Sequence, residues 1–327
     1  MNLGRGLIVL TANEVLKVGL ELVHTNERIH KVKGDPWTPK TNHKRFKGHC
    51  GTSHVVVSSL WGDLQTTNFV PPDVPPQGEC IESPLESLNF IYRYKRETER
   101  EAVFDKSRKT LRKWCLHYLK RIQALKSQKI IFPEFNAADV WIMTVDGTHC
   151  KVNEPSHPEC SMDEKCFSHK HKNSGMSYEL GIHLFESKLI WMNSPFPAGR
   201  NDNGNFSQGG LKAKLISIQK KALGDKGHNG HPEACSTYNA FDDAAVKKFK
   251  SRAQMRHEQF NGMLKEFSCL DNCFRHGEEM FKVCFEATAV ICQCRMDHGE
   301  QLFDLLSGIW FDHAEGESDE DADSDSD

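Results

Sequence analysis

Residues 139–149, DVWIMTVDGTH, decide how this chain is read. The apolar run from Val140 to Val145 reads as a buried β-strand, and it runs straight into an acid, Asp146, followed by Gly147. A charge at the end of a buried strand is costly unless something compensates it. A cation is one compensator, and the opening of an Asp-Gly turn is the other reading.

Downstream, MSYELGIHLFE (176–186) alternates and KLIWMNSPF (188–196) is a second apolar run closed by prolines. Both read as strands, with a connection of hairpin length between them. The polar, glycine-rich AGRNDNGNFSQGG (198–210) reads as a loop. A helix is expected at Leu211–Lys221, a short strand ending at Asp225, and a long helix from about Asp242 to Phe267. The order β-β-β-α-β-α predicts an α/β fold with a mixed sheet.

Upstream the texture is helical. Leu10, Val15, Leu16, Val18, Leu20 and Leu22 give an amphipathic start, and five prolines between Val70 and Pro84 mark a loop over 70–86. EAVFDKSRKTLRKWCLHYLKRI (101–122) reads as two helices broken near Asp105-Lys106-Ser107, a helix-turn-helix-like segment. Residues 91–130 hold 13 Lys or Arg against four acids, a local charge of +9. Phosphate-backbone contact and an ordinary solvated helix face both account for it. The expected organisation is a helical, DNA-binding region over 1–130, a catalytic domain over 131–310 and an acidic, disordered tail over 311–327.

The net charge of −3 hides an asymmetry, because Asp312 to Asp327 carry nine of the 45 acids and no Lys or Arg. The body keeps 42 basic against 36 acidic side chains, a balance that suits a polyanionic partner. No apolar run approaches the roughly 18 residues of a membrane span, and no secretion signal precedes the fold, so a soluble, intracellular protein is expected. Its 12 cysteines are then expected to be reduced thiols. Cys269, Cys273, Cys292, Cys294 and His298 come nearest to a zinc pattern, without the usual two-residue separation.

Four acids recur where an oxygen-rich metal site would need them: Asp146 and Asp225 at strand ends, Asp202 in the glycine loop and Glu258 on the late helix. Clustered carboxylates repel unless cations neutralise them. Glu258 shares the polar face of its helix with Gln254, Asn261 and Lys265. Competing motifs fail: HEQFN (257–261) lacks the second His of a zinc protease, Gly204–Gly210 lacks the Gly-Lys-Ser/Thr of a P-loop, and no G-x-S-x-G is present.

Taken in order, VDGTH (145–149), SHKHKNSGMSYELGI (168–182), IWMNSPFPAGRND (190–202), ALGDKGHNG (222–230) and RAQMRHEQFNGMLKEF (252–267) resemble the motifs of the PIF-Harbinger branch of DDE transposases and of nucleases derived from them. The likeness covers roughly residues 130–305. It implies an RNase H-like catalytic fold and Asp146, Asp202, Asp225 and Glu258 as metal-holding catalytic acids. It further implies Mg2+ or Mn2+ as cofactor, DNA as substrate and a nuclear location, and leaves open whether a separate DNA-binding partner protein is needed. His228 stands where the family has Tyr, Arg200-Asn201 precede Asp202, and His257 and Gln259 flank Glu258, so Asp202 ranks below the other three. The expected activity is metal-dependent cutting or strand transfer of DNA, with Lys170, Lys172, Lys212 and Lys214 near the phosphates. The alternative is a decayed copy that binds DNA or a protein without cutting.

Overall fold

Apolar side chains recurring every three to four residues, with polar caps at several starts, make the chain helical ahead of its first strand. The computed structural model describes residues 9–27, 39–67, 80–153, 166–169 and 172–307. Helices α1 (Ala12–Glu27), α2 (Pro39–Cys50), α3 (His54–Thr66), α4 (Glu82–Arg93), α5 (Glu97–Phe104), α6 (Arg108–Ala124) and α7 (Lys126–Lys129) come first. The break between α5 and α6 falls where the sequence placed it: Asp105 turns left-handed at φ 48° and the Ser107 side chain caps Thr110 N–H. The proline-rich loop is shorter at its end than expected, because α4 already begins at Glu82 and accommodates Pro84 in its first turn, where a missing N–H breaks no helical bond. The earlier part of that loop, residues 68–79, lies outside the described residues.

Among the described residues the sheet has six strands: β1 (Trp141–Lys151), β2 (Phe167–Ser168), β3 (Asn173–His183), β4 (Leu189–Pro197), β5 (Lys221–Gly224) and β6 (Cys235–Ser236). They lie in the order β2-β3-β1-β5-β6, with β4 pairing β3. The β1–β3, β2–β3 and β3–β4 pairs are antiparallel, and the β1–β5 and β5–β6 pairs are parallel. A single parallel bridge from Val152 to Phe274 adds a further contact beyond β1. The architecture is a mixed α/β one, with a mixed sheet flanked by helices and a helical N-terminal region.

Three expectations need correction. β1 does not end at Asp146 but continues to Lys151, because Asp146–Lys151 keep pairing with Gly175–Leu180 of β3. The glycine-rich loop contains a helix, α8 (Asp202–Gln208), started by Asn201, whose side chain accepts from Gly204 N–H. The next helix, α9 (Leu211–Ser217), stops short of Lys221, since Gln219 turns to φ 55° and Lys221 opens β5. The long helix α10 (Ala244–Lys265) is where it was expected, with Asp243 as its cap, and α11 (Ser268–Asp271) and α12 (Glu278–Asp297) follow.

α12 is buried nearly all round from Phe281 to Met296, as a helix through the middle of a core must be. One continuous apolar cluster joins it to Tyr178, Leu180 and Ile182 of β3 and to Leu60, Leu88, Trp114 and Ile122 of the N-terminal helices. The Phe285 ring stacks on Tyr178 with centroids 3.8 Å apart. A second cluster packs Phe206, Leu211 and Leu215 of α8 and α9 against Met143, Val145 and Ile190 of the sheet. After α12 the chain returns along α10, where Arg252 donates to the carbonyls of Asp304 and Leu305 at 2.9 and 2.8 Å and Arg256 to that of Phe303. The tail, residues 311–327, lies outside the described residues. Among the described residues no helix is long and apolar enough to cross a membrane, and all eleven described cysteines are free thiols.

Candidate active site

Parallel pairing of β1 with β5 runs through Val145↔Gly224, so the next residue of each strand, Asp146 and Asp225, follows in register. The carboxyl end of parallel strands is where open α/β sheets leave a crevice. α10 packs on both strands. Its residues Gln254, Glu258, Asn261 and Lys265, spaced along one face, line a cleft of about 810 Å³ together with Asp146, Thr148 and Asp225. Side-chain hydrogen bonds fix α10 against β1: Thr144 Oγ1 to His257 Nδ1 at 2.8 Å, Thr148 Oγ1 to Asn261 Oδ1 at 2.5 Å, and Lys265 Nζ to the His149 carbonyl at 2.5 Å.

Asp202 arrives from the other side, on the first turn of α8. Its Oδ1 lies so close over Gly147 that a methyl group there would collide with it, and a Cβ on Gly227 would stand 3.2 Å from its Oδ2. Two glycines therefore leave the room this carboxylate occupies. Asp146 accepts from Gly147 N–H at 2.7 Å, and Asp225 accepts from Gly227 N–H at 2.9 Å and pairs with His228 Nδ1 at 2.8 Å.

The electrostatics follow from this crowding. Burial, chiefly, pushes the Asp146 carboxyl up to about 7; the charges of Asp225 and Asp202 push the same way, while Gly147 N–H and His228 oppose it. Burial disfavours a charged His228 ring, yet the hydrogen bond to Asp225 and the charges of Asp202, Asp225 and Asp146 together outweigh it and raise its pKa. His257 is pushed down to about 3 by burial and His228, so it is a neutral ring under the groove.

Sequence reasoning missed Glu179. It stands in β3 opposite Gly147, is only 2 % exposed, and accepts from Trp191 Nε1 at 2.8 Å through Oε1, while Oε2 has no partner. Burial raises its pKa to about 7; Trp191 and His228 oppose that and Asp202 adds to it. The signal was present, since a lone acid in a strand covered on both faces poses the problem that singled out Asp146. The alternation of 176–186 suggested instead that Glu179 faced water.

Hard carboxylate oxygens lining a partly buried crevice suit a divalent cation such as Mg2+ in donor type. Their spacing is open: among the described residues no group of three or more His, Cys, Asp or Glu is gathered closely enough to hold a metal. The fit is thus one of donor type and not of spacing: burial is the chief cause of the raised Asp146 carboxyl, and the charges of Asp225 and Asp202 add to it. The same absence of a close group covers the cysteines singled out for zinc.

No family model, curated protein or solved structure matches the chain.

The basic stretch over 91–130 is less available than its +9 suggests. Arg112 pairs with Glu97, Arg108 with Glu101, Lys106 with Glu86, Lys126 with Glu286 and Lys129 with Asp63. Arg100 and Arg121 are buried. Arg93, Lys95, Arg96, Lys109 and Lys113 are exposed, and the last two, one turn apart on α6, line a shallow groove with Arg108 and Arg112. Of the lysines expected near the phosphates, Lys212 is engaged by Glu233 and His231, and Lys214 lies over the Phe132 ring. Lys172 is exposed, and Lys170 lies outside the described residues.

Proposed function

We propose that the chain is a divalent-metal-dependent DNA endonuclease of the DDE type, cutting phosphodiesters in the crevice between β1, β5 and α10. The observation that carries this reading is the in-register emergence of Asp146 and Asp225 at the carboxyl end of β5, facing Glu258 across one cleft. Three antiparallel strands, β4-β3-β1, continued by parallel β5 and β6, support an RNase H-like reading of the sheet. The likeness of the acid-bearing motifs to PIF-Harbinger transposases supports the substrate class, and with it a nuclear site of action.

In this reading Asp146 and Asp225 would hold the cation, with Glu258 of α10 lining the same cleft and Asp202 of α8 over Gly147 as further carboxylates. A magnesium or manganese ion held there supplies positive charge against the oxygens of a phosphodiester undergoing hydrolysis. The chain does the positioning. Gly147 N–H orients Asp146, while Gly227 N–H and His228 orient Asp225. Gln254 and Asn261 offer neutral polar groups on the same wall of the cleft, which bind phosphate oxygens without adding charge. Lys265 is tied to the carbonyls of His149 and Leu270 and closes the far end.

The test is nicking of supercoiled plasmid with magnesium or manganese by the natural chain, Asp225→Asn and Glu258→Gln. Metal-dependent nicking by the natural chain, reduced at least about a hundredfold in both variants, is the expected result. Nicking that survives in both variants would remove these acids from the chemistry. A chain that binds DNA but never cuts is the second reading, a decayed transposase acting as a DNA- or protein-binding factor. The open spacing of the carboxylates is the observation in its favour.

A further inference from the structure

The acid-lined cleft does not end at Asp225. A second cleft of about 590 Å³ continues past it, sharing Leu223, Asp225, Ser251 and Gln254 with the first and adding Lys226, Ser236, Tyr238 and Lys250. The two form one groove along α10. From Lys265 to Ser251 it spans about 21 Å at 1.5 Å per residue, the length of about six stacked nucleotides of one strand.

Its far end displays aromatic surface that folding does not account for. Tyr238, which lines this end, is 49 % exposed; Phe241, three residues further along the same loop, is 95 % exposed, and Met255, which lines the first cleft, is 59 % exposed. The loop that carries the two rings is braced. Asn239 and Asp242 hydrogen-bond each other, Phe241 N–H donates to Asn239 Oδ1, and Lys250 Nζ ties Thr237 O and Asp242 Oδ2 at 2.8 Å. A rigid turn that holds a phenyl ring in water presents a surface whose ordering cost is already met. Lys226 Nζ sits 5.8 Å from the Tyr238 ring centre, a cation beside the aromatic face.

We propose that this end of the groove binds an unpaired stretch of DNA strand, with Tyr238 and Phe241 stacking bases that have left the duplex and Lys226 meeting the adjoining phosphate. The inference rests on the nuclease reading and deepens it: the strand to be cut is locally unpaired beside Asp225. Aromatic faces take an unstacked base of any sequence, whereas a paired base keeps its faces inside the helix.

The experiment is fluorescence anisotropy of the full chain with a labelled single strand of about twelve nucleotides and with the blunt duplex of the same sequence, in calcium. Tyr238→Ala/Phe241→Ala is expected to weaken single-strand binding about tenfold or more and to leave duplex binding within about twofold. Tyr238→Phe/Phe241→Tyr, which keeps both faces, is expected to bind as the natural chain does. Single-strand affinity unchanged in the alanine variant, or lost equally for strand and duplex, overturns the proposal. Plasmid nicking separates the two ideas. Aromatic-dependent strand binding without any nicking upholds the groove and sinks the nuclease, and nicking with binding indifferent to the rings does the reverse.

Discussion

Glu179 carries the most consequential charge in the sheet that is not among the four motif acids. An unfolded glutamate titrates near 4.5, while in the fold this one is held up to about 7 by burial. Between those values the folded chain keeps a proton that the unfolded chain has released, so stability from this site is greatest at low pH and declines as pH rises through 7. Glu179→Gln retains the acceptor for Trp191 and removes the titration. The variant should be more stable than the natural chain by about 1–3 kcal/mol at about pH 8 and show no advantage at about pH 5, in urea unfolding at both values. Taking the difference matters, because His257, neutral and buried, drives stability the opposite way below its unfolded pKa. At this scale the sequence was partly legible. Asp146, Asp225 and Glu258 line one cleft as their local patterns suggested, and Asp202 approaches from over Gly147. Glu179 and His257 were not read from the sequence, because the burial of each depends on elements that meet it only in the fold: β4 brings Trp191 to Glu179, and β1 brings Thr144 to His257.

Close approach between elements gives the site its shape. β1 passes under the first turn of α8 at Gly147, where only a hydrogen leaves room for Asp202. Gly147→Ala should push that carboxylate aside while β1 keeps its pairing with β3. The expected outcome is a fold that still unfolds cooperatively but whose melting temperature rises less with added manganese than that of the natural chain, measured by calorimetry. An unaltered metal-dependent rise would show that Asp202 is no part of the cation's surroundings. α6, β3 and α10 were readable because their periodic patterns are sustained, and β4 and the first half of β1 because each is an apolar run. α8 was not, since its seven residues, DNGNFSQ, have poor helix propensity and the helix is held by its Asn201 cap and by burial of Phe206. β2 and β6, two residues each, exist only through their partners.

Across the whole molecule the N-terminal helices and the sheet share one apolar cluster, with α12 at its centre. Helices that could not bury their faces alone are completed by the sheet. Far-ultraviolet circular dichroism and hydrogen exchange of the α3–α6 amides should therefore report one coincident unfolding transition. Phe285→Ala, which empties the ring stacked on Tyr178, should lower its free energy by about 3–5 kcal/mol in both signals. A transition in which α3–α6 unfold while the sheet persists would establish two separately stable units. The strap after α12 has a wider consequence. With Phe303, Asp304 and Leu305 gripped by Arg252 and Arg256, the nine acids from Asp312 onward depart from a fixed mooring on the helix that carries Glu258. Loosening that grip, as Arg252→Ala would, frees the strap and one wall of the acid-lined cleft together.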